Sequence, residues 1–138
     1  YLGRISGPLL DRIDLHVEVP AVKFNEIMAE RTGEPSAVIR ERVVAARERQ
    51  QARFGARPRI TCNARMGSRE LEAHCRLNEE TKNLLKYAMS DLNLSARAYD
   101  RILKVARTMA DLSGVDSIGA EHVSEAIQYR SLDRQIWG

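Results

Sequence analysis

A chain of 138 residues has room for one domain, or for one domain and part of another, and 43% hydrophobic residues fits a soluble globular core. The 22 Lys and Arg against 19 Asp and Glu permit a phosphate-bearing partner without demanding one. Scarce aromatics argue against a stacking platform for single-stranded nucleic acid, no apolar run reaches transmembrane length, and there is no signal peptide.

The chain opens at Tyr1 inside an apolar pattern and is read as a piece of a longer protein. Ser6 before Gly7-Pro8 signals a helix start, and the short helix ends near Arg12. Ile13, Leu15, Val17 and Val19 then alternate with Asp14, His16 and Glu18, which predicts a strand stopped by Pro20. Nothing else in the chain reads as a strand, so this one has no partner to complete a sheet. Residues 1–20 are therefore expected to be mobile, or paired with another copy, and not anchored in the rest of the chain.

Residues 21–67 read as a connector. It holds a helical turn around Phe24 to Ala29, a break at Gly33, Pro35 and Ser36, and a basic helix over 36–53 capped by Ser36. That helix has a thin apolar seam at Ile39, Val43 and Ala46. Its other faces carry Arg40, Glu41, Arg42, Arg47, Glu48, Arg49 and Arg53, as in a solvated helix laced with charge pairs or a basic ridge facing a partner. Residues 54–67, with Gly55, Pro58 and Gly67, read as a linker.

From residue 68 the chain turns helical. Ser68 caps a short helix anchored by Leu71. Asn78 caps another whose buried stripe is Leu84, Leu85, Ala88, Met89 and Leu92, and Asn93 makes a tight corner. The strongest pattern follows, LSARAYDRILKVARTMADLSG from Leu94 to Gly114. Ala98, Ile102, Val105, Met109 and Leu112 share one face of a helix, Ser95 is its N-cap and Gly114 its terminator. Arg97, Arg101 and Lys104, with Arg107 a turn further on, form a basic stripe. Gly119 precedes a last helix from about Ala120 to Arg130 with Val123, Ala126 and Ile127 inside. The tail Ser131–Gly138 is polar apart from Leu132, Ile136 and Trp137.

Little chemistry is visible. There is no G-x-x-x-x-G-K-[ST] and no G-x-G-x-x-G. His16, His74 and His122 are far apart, and no zinc-ligand spacing exists. Cys62 and Cys75 make no disulfide framework, read as small core residues, and suit a reducing cytoplasm. His122 reads as a packed or capping residue. What remains is arginine. Arg12, between Asp11 and Asp14, has a bland role as their ion-pair partner. Its sharper role is reaching a phosphate, for which a permanently charged fork of N–H donors is suited.

These residues carry a resemblance. ISGPLLDRIDLHVEVP is similar to the end of the nucleotide-binding core in AAA+ ATPases of the magnesium-chelatase and MCM-helicase branch. There the arginine of an LL-x-R-[IF]-D segment is an arginine finger. LSARAYDRILKVARTMADLSG, with IGAEHVSEAIQYR after it, resembles the C-terminal helical lid of the same branch, whose first arginine is the sensor-2 residue. The resemblance extends over nearly the whole chain, is weakest over 23–67, and is closest to the magnesium-chelatase-like ComM/YifB competence-protein family. It implies that Arg12 is a finger acting in trans and that Arg97 binds nucleotide in cis.

The fold expected is mainly α: a helical lid over 68–138 behind the connector, with residues 1–20 as a helix–strand remnant of an α/β core. The resemblance implies ATP and Mg2+ as cofactors of the full-length protein, with none held by this part alone because the Walker motifs lie upstream. It also implies a hexamer of identical subunits, DNA as partner, and ATP-driven DNA remodelling in natural transformation; no membrane partner is expected. Two alternatives stand beside this: a chelatase-type motor subunit acting on a protein, and a stand-alone helical DNA-binding module.

Overall fold

The computed structural model describes residues 6–29, 33–56 and 59–130. Among them lie helices α1 (Gly7–Arg12), α2 (Phe24–Met28), α3 (Ser36–Phe54), α4 (Ser68–His74), α5 (Glu79–Asp91), α6 (Ala96–Leu112) and α7 (Ala120–Gln128), with a 3-10 turn at Asn63–Arg65. The mainly α fold is as expected. The tail Ser131–Gly138 lies outside the described residues.

Helix α6 is the axis of the molecule. Its Ala98, Ile102, Leu103, Val105, Ala106 and Ala110 are all buried, on more than the one expected face, because α1, α3, α4, α7 and the 3-10 turn all pack against it. Small residues at 98, 106 and 110 allow helices to approach from several sides. The Ser95 hydroxyl accepts from the Ala98 amide at 3.2 Å and caps the start. Gly114, at φ +72°, ends the helix in the left-handed region that glycine enters without penalty. Asn93 turns the corner from α5 at φ +50°. Asn78 caps α5 as its sequence predicts, its side chain accepting from the Thr81 amide at 2.8 Å. Ser36 and Ser68, by contrast, are the first helical residues; the caps are Pro35 and Gly67.

Two stretches depart from expectation. In α3 only the C-terminal half packs: Ala46, Gln50 and Phe54 are buried, four residues apart on one face, whereas Ile39 and Val43 are exposed. The stretch after α3, sparse in apolar residues, nonetheless places Asn63 and Met66 in the interior. The core is therefore one cluster running from Phe54 and Met66 through Leu71, Cys75, Leu85 and the α6 residues to Ile118, Val123 and Ala126.

The N-terminal segment is the largest correction. Leu10 is 1% exposed and His16 is buried. The His16 amide donates to the Tyr129 carbonyl at 2.7 Å. Residues 6–16 are thus anchored on α6 and the end of α7, not detached. Residues 15–20 form no strand, and among the described residues there is none, since an extended segment needs a ladder partner to become one. The period-two alternation survives as an inside-out segment: Asp14 and His16 face the bundle, while Val17 and Val19 are 61% and 80% exposed.

Candidate functional site

The site is a corner where the end of α1 meets the start of α6. The Ser95 hydroxyl donates to Asp11 Oδ2 at 3.1 Å, so one serine caps α6 and ties down α1. Arg101, two turns into α6, donates to Asp14 Oδ1 at 2.7 Å. Both aspartates that flank Arg12 are thereby engaged by other groups. Arg12 is left exposed at the last position of α1, with no ion-pair or hydrogen-bond partner among the described residues. The bland reading of Arg12, neutralisation of Asp11 and Asp14, is not what the structure favours. Arg97 lies one residue inside α6, is likewise exposed and has no partner among the described residues. The Asp11–Ser95 contact joins the residue before Arg12 to the cap two residues before Arg97. An unpaired, solvated guanidinium has a full set of donors for phosphate oxygens, so the donor chemistry fits a nucleotide.

The rest of the expected basic stripe divides. Lys104 donates to the Ala64 carbonyl at 3.3 Å. Arg107 is not on the outer face; it is 4% exposed and donates to the carbonyls of His74, Val115 and Asp116. Burial pulls its guanidinium below the ordinary arginine range, and Asp111 opposes that pull. On α3, Arg42 pairs with Glu34, Arg49 with Asp116 and Arg53 with Asp111, leaving Arg40 and Arg47 exposed.

The buried pair Arg53–Asp111 anchors a network that the sequence did not reveal. Arg53 reaches both Asp111 oxygens, at 2.6 and 2.9 Å. Asn63 donates to Asp111 Oδ2 at 2.8 Å and to the Thr108 hydroxyl at 3.0 Å. Gln50 Oε1 accepts the Asn63 amide at 2.8 Å. These bonds lock α3 and the 3-10 turn onto the second half of α6. His122 has the capping role expected of it: its Nδ1 accepts the Gly119 amide at 2.9 Å.

Cys75 is a core residue. Burial pushes its thiol up to about 11 from an ordinary 9.0, against the opposing pull of Arg107. At pH 8.5 its thiolate fraction falls by roughly a hundredfold relative to an unperturbed thiol. Iodoacetamide is therefore expected to label Cys75 at least that much more slowly in the native chain than in denaturant, as read by peptide mass spectrometry; equal rates would refute the burial argument. Among the described residues no group of three or more His, Cys, Asp or Glu is placed to hold a metal ion, and no helix is long and apolar enough to cross a membrane.

The described residues form a helical bundle packed around α6, and known families place it further. The family described as magnesium chelatase, subunit ChlI C-terminal, matches residues 33–130, and that described as magnesium chelatase, subunit ChlI, matches residues 1–27. The competence protein ComM of Haemophilus influenzae is 44% identical over 137 residues, 99% of this chain and 26% of that protein. The uncharacterized YifB proteins of Salmonella typhimurium and Escherichia coli are 42% and 43% identical over 99% of the chain, again 26% of their own length. The chain belongs to the magnesium-chelatase-like ComM/YifB family, and spans about a quarter of the length of these relatives. Its bundle is the helical C-terminal lid of an AAA+ protein of that kind.

Proposed function

We propose that the chain is the lid and adjoining finger segment of a hexameric, ATP-driven DNA-remodelling protein that serves natural transformation. The observation that carries this reading is the corner: two exposed arginines with no partner among the described residues, while the neighbouring aspartates are bound by Ser95 and Arg101. The relative named as a competence protein supports the biological setting. ATP and Mg2+ would be held by the rest of the full-length protein, and would supply the phosphoryl group and neutralise charge on it. Arg12 would reach out of its own subunit to a neighbour's terminal phosphate, and Arg97 would bind the nucleotide of its own subunit. Arg40 and Arg47, exposed on α3, remain available to DNA phosphates.

The Asp11–Ser95 contact favours a second arrangement for Arg97. A corner that points Arg12 at a neighbour carries Arg97 with it, and both would then meet one nucleotide. Arg97→Ala is expected to weaken nucleotide binding by about 1.5–3 kcal/mol, or roughly ten- to a hundredfold. In the first arrangement the loss appears at the mutant subunit's own pocket; in the second, at its neighbour's. Nucleotide titration of mixed hexamers carrying a single fluorescent pocket distinguishes them, and wild-type affinity in every pocket removes Arg97 from the site.

The functional test is ATPase activity of the full-length protein with and without branched, single-stranded and double-stranded DNA. Stimulation by DNA, strongest with branched DNA, is expected. The names of the matching families support one alternative, a chelatase-type motor acting on a protein partner. ATPase activity indifferent to every DNA would favour that motor and sink the DNA reading.

A further inference from the structure

Arg12 ends a helix of only six residues, too short to hold its own shape or direction. Its last carbonyls carry the negative end of its dipole and look to donors outside the helix. The Leu10 carbonyl accepts from the Ile13 amide at 3.2 Å and lies 3.0 Å from His16 Nε2, and further donors come from about 120 residues away. Arg130, just past α7, is 1% exposed. Its Nη2 donates to the Leu10 carbonyl at 3.2 Å and to the Asp11 carbonyl at 3.4 Å, and its Nη1 donates to the Ile13 carbonyl. The same Nη2 lies 4.0 Å from Asp11 Oδ1. The carbonyls on either side of Arg12 are thus held by one planar, permanently charged fork, which follows directly on α7, the helix that packs most extensively against α6.

We infer that Arg130 is a positioning residue for Arg12: it fixes the end of α1 to the lid, so that the direction in which Arg12 leaves the subunit follows the position of the lid. This rests on the reading of Arg12 as a finger. It gives a physical route by which a lid that moves with its own subunit's nucleotide moves the arginine offered to the neighbour. Arg101, through Asp14 at 2.7 Å, is the second strut of the same attachment. Misplacing a reacting group by an ångström can cost about a hundredfold in rate. Lysine at 130 keeps a charge but cannot bridge carbonyls as a fork does.

The test is made on the full-length protein with Arg12→Ala, Arg130→Lys, their double variant and Arg101→Gln, with assembly checked by light scattering. Arg130→Lys is expected to lower turnover about ten- to a hundredfold with KM for ATP within twofold. The double variant is expected to be no slower than Arg12→Ala alone. Hydrogen exchange at the Leu10 and Ile13 amides should quicken while that of Ile102 and Ala106 is unchanged. Mixing Arg130→Lys with Arg12→Ala subunits should restore nothing, since neither offers a well-placed finger; rescue would mean that Arg130 serves its own subunit's pocket, and would overturn the inference. Should Arg130→Lys not assemble, Arg101→Gln, whose ion pair is partly exposed, carries the test: a severalfold loss of turnover that vanishes in the Arg12→Ala background supports the inference. Wild-type turnover, or losses additive with Arg12→Ala, overturns it. Arg12→Ala at wild-type turnover would instead sink the finger reading, a result visible before either positioning variant is considered.

Discussion

Full-length subunits carrying Arg12→Ala are expected to bind nucleotide nearly as well as wild type and to lose turnover by about 10³-fold or more. An arginine that meets the terminal phosphate chiefly in the transition state changes rate far more than ground-state affinity. The local geometry makes this a clean experiment. Asp11 and Asp14 keep Ser95 and Arg101 as partners when Arg12 is removed, so no buried charge is uncovered, and Arg12 is itself exposed. Stability and assembly should therefore be untouched. Lysine at the same position is expected to recover little, because a point charge cannot make the two parallel bonds of a fork. Mixed hexamers supply the decisive measurement. Subunits with Arg12→Ala keep an intact pocket, and subunits without the phosphate-loop lysine keep an intact finger, so a mixture should recover part of the activity that neither homogeneous hexamer has. A correctly assembled Arg12→Ala hexamer with wild-type turnover decides against the finger, and loss of activity without rescue on mixing decides against action in trans.

How much of this was legible in the residues depends on what kind of signal each part leaves. Helix α6 was readable because apolar side chains repeat along it with helical spacing between Ser95 and Gly114. The corner was readable only as two arginines. They belong to one corner because α1 packs on α6 and Asp11 accepts from Ser95, a contact that no periodicity announces. The alternation over Ile13–Val19 is real, yet alternation specifies a face and not a partner. Without a second strand the segment lies against the bundle by its polar side. In α3 the seam Ile39–Val43–Ala46 indicated a buried stripe, but the neighbouring helix covers only its lower half. Arg107 illustrates the opposite error. Counted as part of a basic stripe, it sits between Ala106 and Ala110, close to small residues that mark tight helix packing, and four residues before Asp111. That i,i+4 spacing of opposite charges on a buried face was the available sign of an internal ion pair. Arg53, Asn63 and Gln50 left no sign, because polar groups brought together from 13 to 58 residues apart obey no local period.

That unread network carries the second large expected effect. Asp111→Ala should destabilise the protein by about 3–5 kcal/mol, the usual cost of removing one partner from a buried ion pair. Asp111 is 1% exposed and accepts from Arg53 twice and from Asn63 once, with Arg107 3.5 Å away. Its removal leaves the Arg53 and Arg107 guanidinium groups without the carboxylate both approach, one of them already pulled below the ordinary arginine range by burial. It also strips Asn63 of an acceptor, which loosens the 3-10 turn and the Gln50 contact that fix α3. Asp111→Asn keeps the shape but not the charge and should cost less. Replacing the pair together, as Arg53→Met with Asp111→Leu, should recover part of the loss, because one of the two stranded charges goes with it while Arg107 keeps its carbonyl acceptors. Urea unfolding of the three variants, followed by far-ultraviolet circular dichroism, gives the comparison. A shift of less than about 1 kcal/mol for Asp111→Ala would mean that water or rearranged side chains compensate Arg53 and Arg107. A double variant no more stable than Asp111→Ala would mean that the network is held by something other than its charges.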